Sequence, residues 1–161
     1  MSKISIKQDK CLFLMIPANI CYVIAIFSHA WFKLPGVSYG IWWAIFCDHL
    51  SCQIVPAFFT SEPAWYHMVQ VLSLIGLAGM VLSLLMMYKH FHFIDKYNLR
   101  RQQAVSLVCL MSGFTISLTL MVFYGKLDES SPKAIPQIHW SSILAAVACI
   151  LQFFNGLLLI Q

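Results

Sequence analysis

Two short stretches concentrate the residue types that do chemistry. Cys47, Asp48, His49 and Cys52 fall within the six residues "CDHLSC". Thiolate, carboxylate and imidazole are zinc ligands, and a thiol pair is also the working group of dithiol oxidoreductases. His90 and His92, in "KHFHF", form the second stretch. Neither matches a standard metal pattern, and a redox pair at a helix end is more commonly spaced C-x-x-C. A third use of Cys47 and Cys52 is to pin a small fold. Which use applies depends on where the chain places them.

The elements that must position these residues are helices in lipid. Of 161 residues, 60% are hydrophobic and 10% charged, whereas a soluble domain carries about 25% charged residues. So little charge does not cover a water-facing surface. Four apolar runs free of Asp, Glu, Lys and Arg span 11–30, 68–87, 105–124 and 141–160. A bilayer core takes about 20 residues of helix, and lipid offers the backbone no other partner than its own helix. The expected fold is an all-α membrane protein: a left-handed bundle of four transmembrane helices, with a small extracellular β-sheet from the first outer loop. Residues 1–161 form one tetraspan domain, with extracellular loops 31–67 and 125–140 and a cytosolic loop 88–104.

Orientation follows from the basic residues. Lys3, Lys7 and Lys10 precede the first run, and Lys89, Lys96, Arg100 and Arg101 lie in the middle loop. The other two loops hold Lys33, Lys126 and Lys133 against Asp48, Glu62, Asp128 and Glu129. Basic loops stay cytosolic, which puts both termini inside. The net charge of +4 is thus a topology signal and not a nucleic-acid footprint. The first run is longer than the 7–15 or so apolar residues of a signal peptide, so it is expected as a retained span.

Helices in lipid associate through close packing and buried polar contacts. Gly76, Gly79 and Ser83 on the second run, Gly113 and Ser117 on the third, and Ala145 and Gly156 on the fourth are the expected packing residues. Asn19, Gln70, Gln152 and Asn155 are expected as interhelical hydrogen-bond partners, and Pro17 as a kink. No run carries the ionisable relay of a coupled transporter or the Arg and Glu of a small membrane enzyme. His29 is the one histidine in a run, with no facing histidine for haem. The expectation is a protein that is not an enzyme, with no metal, no cofactor and no small-molecule substrate.

The topology also bears on the cysteines. Cys47 and Cys52 fall outside the cell, where oxidising conditions favour a structural disulfide. Residues 31–60 are rich in Trp, Phe, Val, Ile and Tyr, with Pro35, Gly36 and Gly40 as turn residues, a strand-and-turn composition. A hairpin closed by Cys47 and Cys52 follows. Trp31, Trp42 and Trp43 are expected to anchor it at the lipid interface.

Four spans, Trp31, then Gly40-Ile41-Trp42, then Cys47 and Cys52 on the first outer loop resemble the claudin superfamily. Its members carry a W…G-L-W…C…C pattern on a small extracellular sheet. "SEPAWYHMVQ", residues 61–70, is most similar to the peripheral myelin protein and epithelial membrane protein branch. There a Ser-Pro-Trp run leads into the second helix; Trp65 and Val69-Gln70 occupy the similar positions here, and Trp140 opens the fourth run. Departures are Ile41 for leucine, a shorter Cys47-to-Cys52 gap, no arginine before the second helix and no glycosylation sequon.

The resemblance implies a plasma-membrane protein whose motif residues Trp31, Gly40, Ile41, Trp42, Trp43 and Trp65 hold and anchor the sheet. Its implied partners are membrane lipids and other membrane proteins, either itself or a channel or receptor. Two functions are expected: organising membrane contacts or partner proteins, or serving as an auxiliary subunit of an ion channel or receptor. The first outer loop carries only Lys33, Asp48 and Glu62 as charges, which is sparse for an ion-selective paracellular pore.

Overall fold

The computed structural model describes residues 3–34, 36–47, 51–56, 63–88, 98–130 and 137–160. Helix α1 covers Lys3–Phe27, and strands β1 (Phe32–Leu34), β2 (Val37–Tyr39), β3 (Trp43–Cys47) and β4 (Cys52–Pro56) follow. Helices α2 (Ala64–Met87) and α3 (Asn98–Ser130) come next, then strand β5 (Gln137–Ile138) and helix α4 (Trp140–Ile160). Lys10–Phe27, Ala64–Met87, Gln102–Leu127 and Trp140–Ile160 are each long and apolar enough to cross a membrane. The chain is a multi-pass membrane protein.

α2 packs on α3, α3 on α4 and α4 on α1, and a lighter α1–α2 contact closes the ring. Polarity is inverted relative to a soluble protein. Gln70, Ser73, Ser83, Ser112, Gln152 and Asn155 are buried, whereas Phe13, Ile20, Leu107, Met121 and Ile150 lie on the surface. Lipid solvates the apolar exterior, and the polar groups find one another inside because lipid gives them no alternative.

The five strands form one sheet in the order β4-β3-β2-β1-β5, with every pairing antiparallel. It sits at the end of the bundle where α1 finishes and α4 starts. There Ser141 N donates to Ala30 O (3.2 Å) and Ser141 Oγ donates to Ser28 Oγ (2.8 Å). Gly36 has a φ of +81°, a left-handed backbone open to glycine, and it turns β1 into β2. We call this the sheet end; the α2–α3 connection lies at the far end.

Four features differ from the sequence reading. The sheet is not built from the first loop alone, because β5 from the second loop pairs with β1 through Phe32↔Ile138 and Lys33↔Gln137. The third helix does not stop at 124. Its 33 residues extend about 50 Å at 1.5 Å per residue, beyond a hydrocarbon core of about 30 Å. Lys126, Asp128 and Glu129 end the apolar run but not the helix, since charge stops a span without breaking hydrogen bonds. The second helix begins at Ala64, so Trp65 lies in its first turn and not in the loop. α1 runs unbroken through Pro17.

Candidate interaction surface

The sheet is fixed to the bundle by a tryptophan. Trp31 follows α1 directly, where the last helical carbonyls lack partners. Its Nε1–H donates to Ala25 O (2.6 Å), its backbone N–H to Tyr39 O (2.9 Å), and its carbonyl accepts from His139 N (3.2 Å). One residue thereby joins α1, β2 and the segment leading into α4. Its ring meets Phe123 edge-on, with centroids 5.1 Å apart. Phe32 stacks on Tyr39 at 4.7 Å and meets Phe123 at 5.7 Å. The sheet end of α3, at Phe123, is the post against which the sheet's inner face rests.

A second fixing point is Gly40-Ile41-Trp42, between β2 and β3. Gly40 N donates to Trp43 O (2.8 Å), closing the turn. A Cβ at Gly40 would collide with the backbone of Ser28 and His29, so the loop lies directly on the end of α1. The first turns of α2 grip the exposed carbonyls: Tyr66 Oη donates to Gly40 O, and Gln70 Nε2 donates to Ile41 O (3.0 Å). His67 Nδ1 in turn donates to Gln70 Oε1 (3.1 Å). Tyr66, Gln70 and Ile41 are all buried, so these bonds form out of water, where an unpaired carbonyl is costly.

Cys47 and Cys52 are a directly opposed pair at the end of the β3–β4 hairpin where the chain passes from β3 to β4, and they are joined by a disulfide. Side chains alternate across a sheet. Ala44 faces the bundle side with Tyr39, while Trp43, Ile45, Ile54 and Pro56 share the opposite face through Trp43↔Pro56 and Ile45↔Ile54. The β3–β4 part of that outer face is apolar and open, with Trp43 42% exposed and Ile54 67%, while the register continues the same face through Ser38, Lys33 and Gln137 across β2, β1 and β5. His29, Trp43, Ile45 and Ile54 line a shallow groove of about 340 Å³ beside the end of α1.

The helix contacts occur where side chains are small. A Cβ on Gly76 would reach Ile116 and Tyr22, both at 3.0 Å; one on Gly79 would reach Ser112 Cβ at 2.7 Å. Gly113 lies against Phe153 (3.2 Å) and Gly156 against Leu110 (2.8 Å). Ala145 is fully buried, and Ser117 is half-buried. Ser83 Oγ accepts from Gln152 Nε2 (3.0 Å), which also donates to Ser112 Oγ (3.0 Å), so one amide ties α2, α3 and α4 together. Tyr22 Oη donates to Ser73 O (3.2 Å), joining α1 to α2.

Trp31 is corrected from lipid anchor to core residue. It is wholly buried, because its indole N–H is the partner for a carbonyl left free at the end of α1. Trp65 likewise turns inward, 6.3 Å from Phe123, and Trp42 is half-buried against the core. Trp43 alone of the four stands open. Cys47 and Cys52, bonded to each other, have no thiolate to offer a metal. Asp48, His49, His90 and His92 lie outside the described residues. Among the described residues, no three His, Cys, Asp or Glu side chains gather as a metal group.

Sequence reasoning passed over Tyr66, Ser112, Tyr22 and Ser28. The one available signal was the position of Tyr66 beside Trp65 at a helix start; hydroxyl-to-carbonyl bonds across many residues leave no local pattern. No protein-family model matches the chain, and no curated protein matches it.

Proposed function

We propose that this is a claudin-like, non-enzymatic tetraspan of the plasma membrane that organises partner membrane proteins through the outer face of its extracellular sheet. The observation that carries the reading is the sheet itself. Its inner face is fixed by Trp31, Tyr66 and Gln70, and its outer face presents Trp43, Ile45 and Ile54 just beyond the end of a membrane span. A rigid, apolar, partly exposed aromatic surface is the chemistry of a protein contact, where a few buried aromatic and aliphatic anchors supply most of the binding energy.

Two further observations support it. Arg100 and Arg101 lie in the first turn of α3, at the end opposite the sheet, and Lys89 and Lys96 precede them in the sequence, the pattern expected when the far end is cytosolic. Among the described residues, the buried polar side chains are Asn, Gln, Ser and Thr. These supply hydrogen bonds for packing but no general acid or base near neutral pH.

The test is purification of the chain from native membranes in mild detergent, with mass analysis of what accompanies it, repeated with Trp43→Ser and Ile54→Ser. Self-oligomers or several adhesion and junction proteins, lost on substitution, are the expected result. A single stoichiometric channel or receptor would establish an auxiliary subunit instead. Companions retained undiminished by both variants would remove the sheet face from the contact.

A further inference from the structure

The bundle interior carries amide groups that the chain itself does not pair. Asn155 on α4 is fully buried, and neither Nδ2 nor Oδ1 has a hydrogen-bond partner among the described residues. Gln152, one turn nearer the sheet, is also fully buried; its Nε2 serves Ser83 and Ser112, and its Oε1 is unpartnered. Asn19 on α1 is 7% exposed, donates Nδ2 to Met15 O (2.9 Å), and leaves Oδ1 unpartnered. Interchanging the O and N of Asn155 changes nothing, since both ends lack a partner.

These groups lie in one zone of the bundle. The Ser28–Ser141 bond sets α1 and α4 level with each other at the sheet end. Asn19 is nine residues below Ser28, and Gln152 and Asn155 are eleven and fourteen below Ser141. At 1.5 Å per residue their depths are about 14, 17 and 21 Å, well inside a hydrocarbon core of about 30 Å. In the sheet half Tyr22 pairs with Ser73 and Ser141 with Ser28, and His139 Nδ1 is unpartnered; no buried side-chain amide there is left without a partner among the described residues.

Buried polar groups in native proteins are almost always paired, either with protein or with ordered water. The unmatched set comprises three oxygens, which accept, and one NH₂, which donates. Its complement is a small neutral molecule that both donates and accepts. A cation is a poor match, because the buried polar side chains of this zone are neutral amides and hydroxyls.

We propose that ordered water is a bound component of the inner bundle, hydrogen-bonded to Asn155 and to the free oxygens of Gln152 and Asn19. The zone is a built hydration site enclosed by the helices, and it stands independently of any role for the outer sheet.

The experiment is water-edited solid-state NMR on the full chain in lipid bilayers with deuterated acyl chains. Uniform ¹³C,¹⁵N labelling reads Asn155 and Ala145 together, and a second sample with ¹³C-Phe and ¹⁵N-Asn identifies Asn155 through the Phe154-Asn155 pair in the native sequence, without any substitution. The readout is the rate at which magnetisation passes from water to the Asn155 side-chain amide. Transfer several-fold faster than to the backbone amide of Ala145, which is equally buried in the sheet half, is the expected result. Transfer as slow as at Ala145 would show a dry interior and overturn the proposal.

Discussion

Replacing Gln70 by leucine tests how the sheet is held. Gln70 is 4% exposed, and its Nε2 donates to Ile41 O at 3.0 Å. Leucine fills a similar space and leaves that carbonyl buried without a donor. An orphaned buried acceptor costs about 1–3 kcal/mol, offset in part because an amide no longer has to be buried. A net loss of about 1–2 kcal/mol corresponds to a 5–30-fold shift in a local opening equilibrium.

The affected bonds are those of the loop: Gly40 N to Trp43 O at 2.8 Å and Trp31 N to Tyr39 O at 2.9 Å. Hydrogen exchange with mass analysis in detergent micelles reads both, since exchange reports local opening free energy. Gln70→Leu should speed exchange at Trp31 and at residues 36–47 by about that factor and leave the α3–α4 centre around Cys149 unchanged. Unchanged exchange at 36–47, or equal acceleration across the whole chain, would refute the clip.

Three other perturbations probe separate parts of the fold. Replacing Cys47 and Cys52 by serine removes a bridge of sequence separation 5, worth about 2 kcal/mol by the chain-entropy estimate. Non-reducing peptide mapping should recover the two cysteines linked, and two separately alkylated thiols would contradict the hairpin. Gly79→Ala places a methyl 2.7 Å from Ser112 Cβ, and overpacking of this kind costs about 1–3 kcal/mol. Gly125→Ala on the same scaffold meets nothing within 4 Å and gains helix propensity of up to about 1 kcal/mol. The two unfolding midpoints should therefore move in opposite directions. Gln152→Leu removes the bonds to Ser83 and Ser112; at about 0.6 kcal/mol for each interhelical bond in lipid, its unfolding midpoint should fall by the equivalent of about 1 kcal/mol, and an unchanged midpoint would contradict the three-helix tie.

The four helices were legible because lipid imposes an uncharged run of fixed minimum length on each span. Lys10, Lys89 and Lys126 flank such runs visibly. The Cys47–Cys52 hairpin was legible for a similarly local reason, as two cysteines close together within one β-rich loop. What remained hidden depends on distant partners. β5 is two residues long and owes its existence to the free edge of β1, more than a hundred residues earlier. The overrun of α3 is stabilised by Phe123 and Leu127 packing beneath the sheet, which no hydropathy pattern records. Trp31 was misplaced because composition associates tryptophan with the lipid interface, whereas here the free carbonyl of Ala25 draws the indole inward. Gln70 stood out as an amide in a span, but its partner, the Ile41 carbonyl, carries no signature at all.

A consequence of this construction is that the surface most able to recognise a partner is mechanically tied to the membrane helices. Trp43 and Ile45 project from the strand that begins at the loop held by Tyr66 and Gln70. A partner pressing on the outer face therefore acts on the first turn of α2 through two hydrogen bonds.

The central claim is that the outer face of the sheet is an extracellular contact surface. Its most direct test places a photo-crosslinking amino acid at Ile54, 67% exposed, in intact cells, with irradiation followed by membrane-impermeant surface biotinylation and mass analysis. The account predicts biotinylated protein–protein adducts from position 54, formed with a second copy or with other surface proteins. Adducts only with lipid, or none on chains that reach the surface, would contradict it.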